Sequence, residues 1–294
     1  MGYTPKTLKG GNYMLGAIFG DMVGSQFDFT GFKSMEFELF TDKCSFTDDS
    51  LMTLAIAKTL LVESLDDVES LKNKTIYNMV DIFQKYPDTN WGYMFLEWLN
   101  GVKIPVNSMG NGAAMRISPV GWVANSIEEV KLLSKYLTEI SHNHPEGIKG
   151  AEAIAMAVYL ARVGKSKKEI REYIGNNYYK EVLNEDFESL QARYGHFDDL
   201  REDGEEWLYV TCPGSVPHAI RAFLASDNFI DAIRKAISLG GDSDTLGAMC
   251  GCIAEAYYGM TPYEELEVLK RLPFDLADIC YAFETIKKKR ERKE

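Results

Sequence analysis

The stretch from Ala151 to Ala161 (AEAIAMAVYLA) is apolar on nearly every side, so as a helix it has no face to give to water. It has to be the central helix of something larger, surrounded by others. The rest of the chain supplies the neighbours. Helical apolar patterns follow one another between short Gly, Pro and Asp turns, strand alternation is nearly absent, and no repeat is detectable. The expected fold is all-α: a compact single-domain multi-helix bundle with a layered core over residues 11–286, preceded by a flexible N-terminus (1–10) and followed by a basic tail (287–294).

Several segments can be assigned in more detail. Tyr13 to Gly24 carries Gly16, Gly20 and Gly24 four apart, which puts them on one helical face and predicts close packing of a second helix there. Asp48, Asp49 or Ser50 caps a helix from Leu51, and Val68 to Tyr86 is helical until Pro87 stops it. Trp91 to Leu99 reads as a short aromatic helix, and Ser126 with Glu129 reads as a capping box for Ile127 to Ile140. The acidic, aromatic-bearing segment 180–209 is expected to be an irregular surface excursion, either a solvated loop or a lid. Further helices are expected up to Ser226, over Asp227 to Ser238, from the Asp242 turn to Gly259, and after Pro262 and Pro273.

Composition excludes several function classes. Hydrophobic residues make up 46% and charged residues 26%, as in an ordinary soluble protein, and no run has the length and apolarity of a membrane span. The N-terminus lacks the basic-then-apolar layout of a signal peptide, so a cytoplasmic location is expected, with no membrane partner. A formal charge of −12 disfavours sequence-independent nucleic-acid binding, although cations and backbone amides could still hold a small anionic ligand. Five irregularly spaced cysteines and four histidines support neither a disulfide framework nor a zinc site.

Two acidic turns carry the chemistry. Thr47-Asp48-Asp49-Ser50 and Gly241-Asp242-Ser243-Asp244-Thr245 each open a helix, and each holds more carboxylates than one cap can use. If they meet, four like charges share one place, and two divalent cations would bring it near neutrality. Oxygen-only ligands point to Mg2+ or Mn2+. Asp28, at the end of the first helix, is disfavoured by the helix dipole and so is expected to have another partner. Ser108-Met109-Gly110-Asn111-Gly112 is a glycine loop in front of a helical segment, where backbone amides could approach phosphate.

These pieces, with Gly16-Ala17-Ile18-Phe19-Gly20-Asp21-Met22-Val23-Gly24, Gly110 through Arg116, and Ser141-His142, occur in the order that resembles the ADP-ribosylglycohydrolases. The resemblance spans most of the chain. It implies a dinuclear Mg2+ or Mn2+ site with Thr47, Asp48, Asp49, Asp242, Asp244 and Thr245 as ligands, and ADP-ribose contacts from Ser108, Met109, Gly110, Asn111, Gly112 and His142. Asp49, Asp28 and Asp88 are the implied catalytic carboxylates. Many relatives have a glutamate at the position of Asp28, and the shorter aspartate is expected to reach metal or water indirectly. The implied activity is hydrolysis of the bond between ADP-ribose and a modified acceptor, with arginine on a protein as the leading acceptor. Two alternatives are a catalytically silent ADP-ribose-binding or crystallin-like relative and a metal phosphohydrolase using the same turns.

Overall fold

A computed structural model describes residues 14–61, 65, 67–195 and 209–291, with side chains as far as residue 286. The helices are α1 (Gly16–Gly24), α2 (Asp48–Thr59), α3 (Val68–Lys85), α4 (Tyr93–Asn100), α5 (Gly112–Met115), α6 (Ser118–Val123), α7 (Ile127–Thr138), α8 (Pro145–Arg162), α9 (Lys167–Asn177), α10 (Lys180–Asn184), α11 (Phe187–Arg193), α12 (Cys212–Ala225), α13 (Phe229–Ser238), α14 (Ser243–Tyr258), α15 (Pro262–Leu269) and α16 (Phe274–Glu291). Among the described residues there is no sheet, only the isolated bridges Val106 with His142 and Gly110 with Thr211. The all-α expectation holds. The proposed 1–10 segment lies outside the described residues, and α16 continues through the first part of the basic 287–294 stretch.

Helix α8 is the centre that its composition demands. Ala151, Ala153 to Val158, Leu160 and Ala161 are buried, and α5, α6, α7, α12 and α14 pack around it.

The contact that positions the site is the crossing of α1 over α14. A Cβ on Gly20 would lie 1.9 Å from the Gly247 carbonyl oxygen, one on Gly16 would lie 2.3 Å from that of Gly251, and one on Gly24 would lie 2.3 Å from that of Ser243. The four-residue glycine spacing therefore lets two helix backbones touch, as the sequence predicts. Its effect is to bring Asp21, the one acid on α1, against the start of α14.

Local details differ from expectation where a neighbour supplies the cap. Thr47, rather than an aspartate, caps α2: its Oγ1 accepts from the Asp49 amide at 3.3 Å, so neither carboxylate is used as the cap. Ser126 caps α7, but Glu129 turns back to the amide of Asn125 rather than to that of Ser126, so the expected box is not reciprocal. Complete capping boxes occur instead at Ser166 with Glu169 and at Thr261 with Glu264.

The expected excursion at 180–209 is regular in its first half. Helices α10 and α11 bury Leu183, Phe187 and Leu190, and buried Tyr194 donates its hydroxyl to the Gly214 carbonyl at 2.8 Å. These apolar positions are too few to show a period in so acidic a segment. Residues 196–208, where a lid would fall, lie outside the described residues.

Candidate active site

Asp21 organises the first acidic turn. Fully buried on α1, it accepts hydrogen bonds from the Thr47 amide at 2.9 Å, Thr47 Oγ1 at 2.7 Å, the Ser50 amide at 3.1 Å and Ser50 Oγ. It thus serves the exposed amides at the start of α2, and α2 needs neither Asp48 nor Asp49 for that purpose.

The second turn is set by Gly240 and Gly241, both at positive φ (77° and 74°), where a side chain would be strained. The amide of Phe29 donates to the Gly241 carbonyl at 2.9 Å, and Lys33 Nζ donates to the carbonyls of Gln191 (2.9 Å), Leu239 (2.5 Å) and Tyr194. The loop after α1 is thereby tied to the turn, and Asp28 is brought to Asp242 and Asp244.

The two turns meet. Carboxylate oxygens of Asp21, Asp49 and Asp244 lie within 4.8 Å of one another, and so do those of Asp28, Asp242 and Asp244. Asp28 therefore reaches the cluster directly despite its short side chain. Thr245 Oγ1 donates to Asp49 Oδ2 across the junction at 3.1 Å. Asp49 Oδ1 and Asp28 Oδ1 are buried with no hydrogen-bond partner. Buried carboxylate oxygens lacking a donor, in an all-oxygen set, fit hard divalent cations.

The electrostatics agree. Burial, then the charge of Asp242, pushes Asp28 up to about 7; burial, then Asp21 and Asp242, pushes Asp48 to about 7. Burial raises Asp21 to about 6, against the hydrogen bonds from Ser50 and Thr47. Asp49, Asp242 and Asp244 are raised well above the usual carboxylate range, first by burial and next by a neighbouring aspartate, which is Asp244 for Asp49 and Asp242 and Asp28 for Asp244. Every one of these shifts is in the direction that a bound cation would oppose.

The glycine loop closes the other side. Asn111 Nδ2 donates to Asp242 Oδ2 at 2.6 Å, the Asn111 amide donates to the Val210 carbonyl at 2.8 Å, and the Cys212 amide donates to that of Met109 at 2.8 Å. The helical segment after the loop begins as the four-residue helix α5 and continues, after a break, as α6. What lines the cavity there is His142 and Arg116. The cavity holds about 560 Å³ and its wall includes Asp28, Asp48, Asp49, Asp242, Asp244, Thr245, Ser108, Gly110, Asn111, Gly112 and His142.

Three candidates are not on that wall. Thr47 is turned toward Asp21, Met109 contributes its carbonyl to α12, and Asp88 is exposed on the surface two residues before Asn90, which does line the cavity. Asp21, Arg116 and the aromatic wall of Phe29, Trp91, Tyr93 and Phe95 are not among the site residues expected from the sequence. A signal existed for the first two: each is a single charge inside an otherwise apolar stretch.

An ADP-ribosylglycohydrolase family model matches residues 10–286. The chain belongs to the ADP-ribosylglycohydrolase family. Human ADP-ribosylhydrolase ARH3 is 29% identical over 276 residues, covering 76% of this chain and 74% of its own. The ADP-ribosyl-[dinitrogen reductase] glycohydrolase of Rhodospirillum rubrum is 25% identical over 220 residues, covering 73% of this chain and 69% of its own. A solved structure described as an ADP-ribosylglycohydrolase-related protein complex has the same fold: its TM-score is 0.63 at 20% identity, covering 94% of this chain and 98% of that one. Family membership makes this chain a glycohydrolase acting on ADP-ribose linkages. No helix among the described residues is long and apolar enough to cross a membrane.

Proposed function

We propose that the chain hydrolyses the N-glycosidic bond between C1 of the terminal ribose of ADP-ribose and an arginine side chain of a modified protein, in a cytoplasmic setting. The site would use two divalent cations, Mg2+ or Mn2+, held by Asp48, Asp49, Asp242, Asp244 and Thr245 from the cavity wall, with Thr47 joining them only from behind, through the hydroxyl that it also gives to Asp21. The observation that carries the reading is the convergence of both acidic turns, with orphaned Oδ1 atoms on Asp49 and Asp28, in the cavity that also holds the glycine loop and His142. Bound cations would supply orientation of the ribose hydroxyls and acidification of a water.

The chain's own residues divide the remaining work. Ser108, Gly110, Asn111, Gly112 and His142 would hold the phosphate and adenosine part, while Asn111 ties that loop to Asp242 and so fixes the distance between the two ends of the ligand. Asp28 stands at the edge of the cluster with Oδ1 free of donors, and it would take the proton of the attacking water. The water oxygen bonds to C1, the C1–N bond breaks, and the proton passes from Asp28 to the leaving nitrogen. Asp49, deeper and bonded to Thr245, would stay ionised in the ligand set.

Release of free ADP-ribose from arginine-ADP-ribosylated protein tests the reading. Metal-dependent release that EDTA stops is expected. Release only from serine-linked ADP-ribose or O-acetyl-ADP-ribose would move the acceptor, and binding of ADP-ribose with no release from any linkage would overturn hydrolysis. AMP or phosphate in place of intact ADP-ribose would indicate a phosphohydrolase.

A further inference from the structure

The cavity contains a buried cation that bond cleavage does not use. Arg116 is 0% exposed, is the only Lys or Arg side chain on the described cavity wall, and lies with its guanidinium carbon 5.0 Å from the centre of the Phe95 ring. Its Nη2 donates to Ser141 Oγ at 2.6 Å, and its Nε and Nη1 have no hydrogen-bond partner.

A guanidinium can only donate, so Ser141 Oγ accepts from it and has one proton of its own to place. Two acceptors are within reach: His142 Nδ1 at 2.9 Å and the Thr138 carbonyl at 3.5 Å. The shorter contact takes the proton. Arg116 Nη2 also faces His142 Nδ1, at 3.5 Å. Both polar groups against Nδ1 are therefore donors, which leaves Nδ1 as the acceptor and puts the ring proton on Nε2.

That nitrogen faces the glycine loop. A Cβ on Gly112 would lie 3.4 Å from His142 Nε2, and one on Gly110 would lie 3.7 Å from it. Glycine at both positions keeps the path from Nε2 into the cavity open.

We infer that Arg116 and Ser141 act as a positioning relay that holds His142 as a neutral ring, with its Nε2–H aimed past the glycine loop at an acceptor oxygen of the bound ligand. An imidazolium would place an Nδ1–H against two donors, so geometry opposes charging the ring. Burial and the Arg116 charge act in the same direction, holding the imidazole well below its ordinary range. His142 is then a donor of fixed direction whatever the state of the acidic cluster. Naming ADP-ribose as the ligand rests on the function proposed above; the tautomer does not.

The test is long-range 1H–15N correlation spectroscopy on the full chain labelled with 15N, with His142 assigned among the four histidines by its loss in His142→Gln. Wild type should show a protonated Nε2 and a bare Nδ1. Ser141→Ala should give a mixture of tautomers, and Ser141→Thr should restore the wild-type pattern. Ser141→Ala should also weaken ADP-ribose binding by about 2- to 10-fold, the scale of one hydrogen bond, with Mn2+ binding unchanged. A protonated Nδ1 in wild type, or a Ser141→Ala spectrum identical to wild type, overturns the relay. The wild-type spectrum decides the tautomer even if a variant does not fold. The predicted tautomer without ADP-ribose binding would overturn the functional reading and leave the relay standing; ADP-ribose binding with the opposite tautomer would do the reverse.

Discussion

Replacing Gly20 with alanine probes the contact on which the site depends. In an isolated helix this change is favourable by about 1 kcal/mol, because alanine is the better helix former. Here the new methyl would sit 1.9 Å from the Gly247 carbonyl oxygen and 2.2 Å from its carbonyl carbon, far inside the ordinary contact range of 3.4–4 Å. Both obstacles are backbone atoms of α14, so no rotamer change relieves them and the helices must separate. Overpacking of this kind costs about 1–3 kcal/mol, and backbone obstruction places Gly20→Ala at the upper end. At about 2–4 °C per kcal/mol, Tm should fall by about 6 °C or more.

The control is Gly175→Ala on α9, where a Cβ would meet only Lys180 Cα at 3.9 Å. That variant should be as stable as wild type or gain up to about 1 kcal/mol. Because α1 carries Asp21, which holds the α2 turn, Gly20→Ala should also weaken Mn2+ binding, and Gly175→Ala should not. Differential scanning calorimetry and Mn2+ titration read both effects. A Gly20→Ala protein with unchanged Tm, or with lowered Tm and unchanged Mn2+ affinity, would refute the argument.

Further outcomes follow from the same geometry. Asp242→Ala should abolish ADP-ribose release and Mn2+ binding, since it removes a carboxylate and the acceptor of Asn111; the activity assay and a Mn2+ titration read this. In metal-free protein, Asp21, Asp28 and Asp48 have folded pKa values of about 6 to 7 against about 3.9 unfolded, so the folded state keeps protons that the unfolded state has lost. Stability is then lost as pH rises through the folded values: metal-free Tm should rise from about pH 8 to about pH 6.5, and saturating Mg2+ should suppress that rise. Buried His218, pushed down to about 3 by burial, acts oppositely and only below its unfolded value of 6.5, so its loss of stability belongs to more acid solution. Asp88→Ala should leave Mn2+ and ADP-ribose binding unchanged, because Asp88 lies exposed off the cavity wall; calorimetry checks this.

How much of this was legible from residues alone depends on the range of the forces involved. The glycine spacing of α1, the apolar circumference of α8 and the excess of carboxylates in the two turns are local statements, and each survives in three dimensions. The cap of α2 is not legible locally because Asp21, 26 residues before Thr47 in the chain, supplies acceptors that a local reading asks of Asp48, Asp49 or Ser50. The relay through Arg116 and Ser141 was not legible because hydrogen bonds across 25 residues leave no period. Helices α10 and α11 were hidden by a net-acidic composition that dominates their few buried positions.

The most direct test of the account is the number of Mn2+ ions bound per chain, measured by titration of metal-free wild type and of Asp244→Asn. Asp244 belongs to both carboxylate clusters, so two equivalents in wild type and fewer than one in the variant are predicted. No binding by folded wild type, or two equivalents retained by Asp244→Asn, would contradict the claim that the two acidic turns converge to hold a pair of cations.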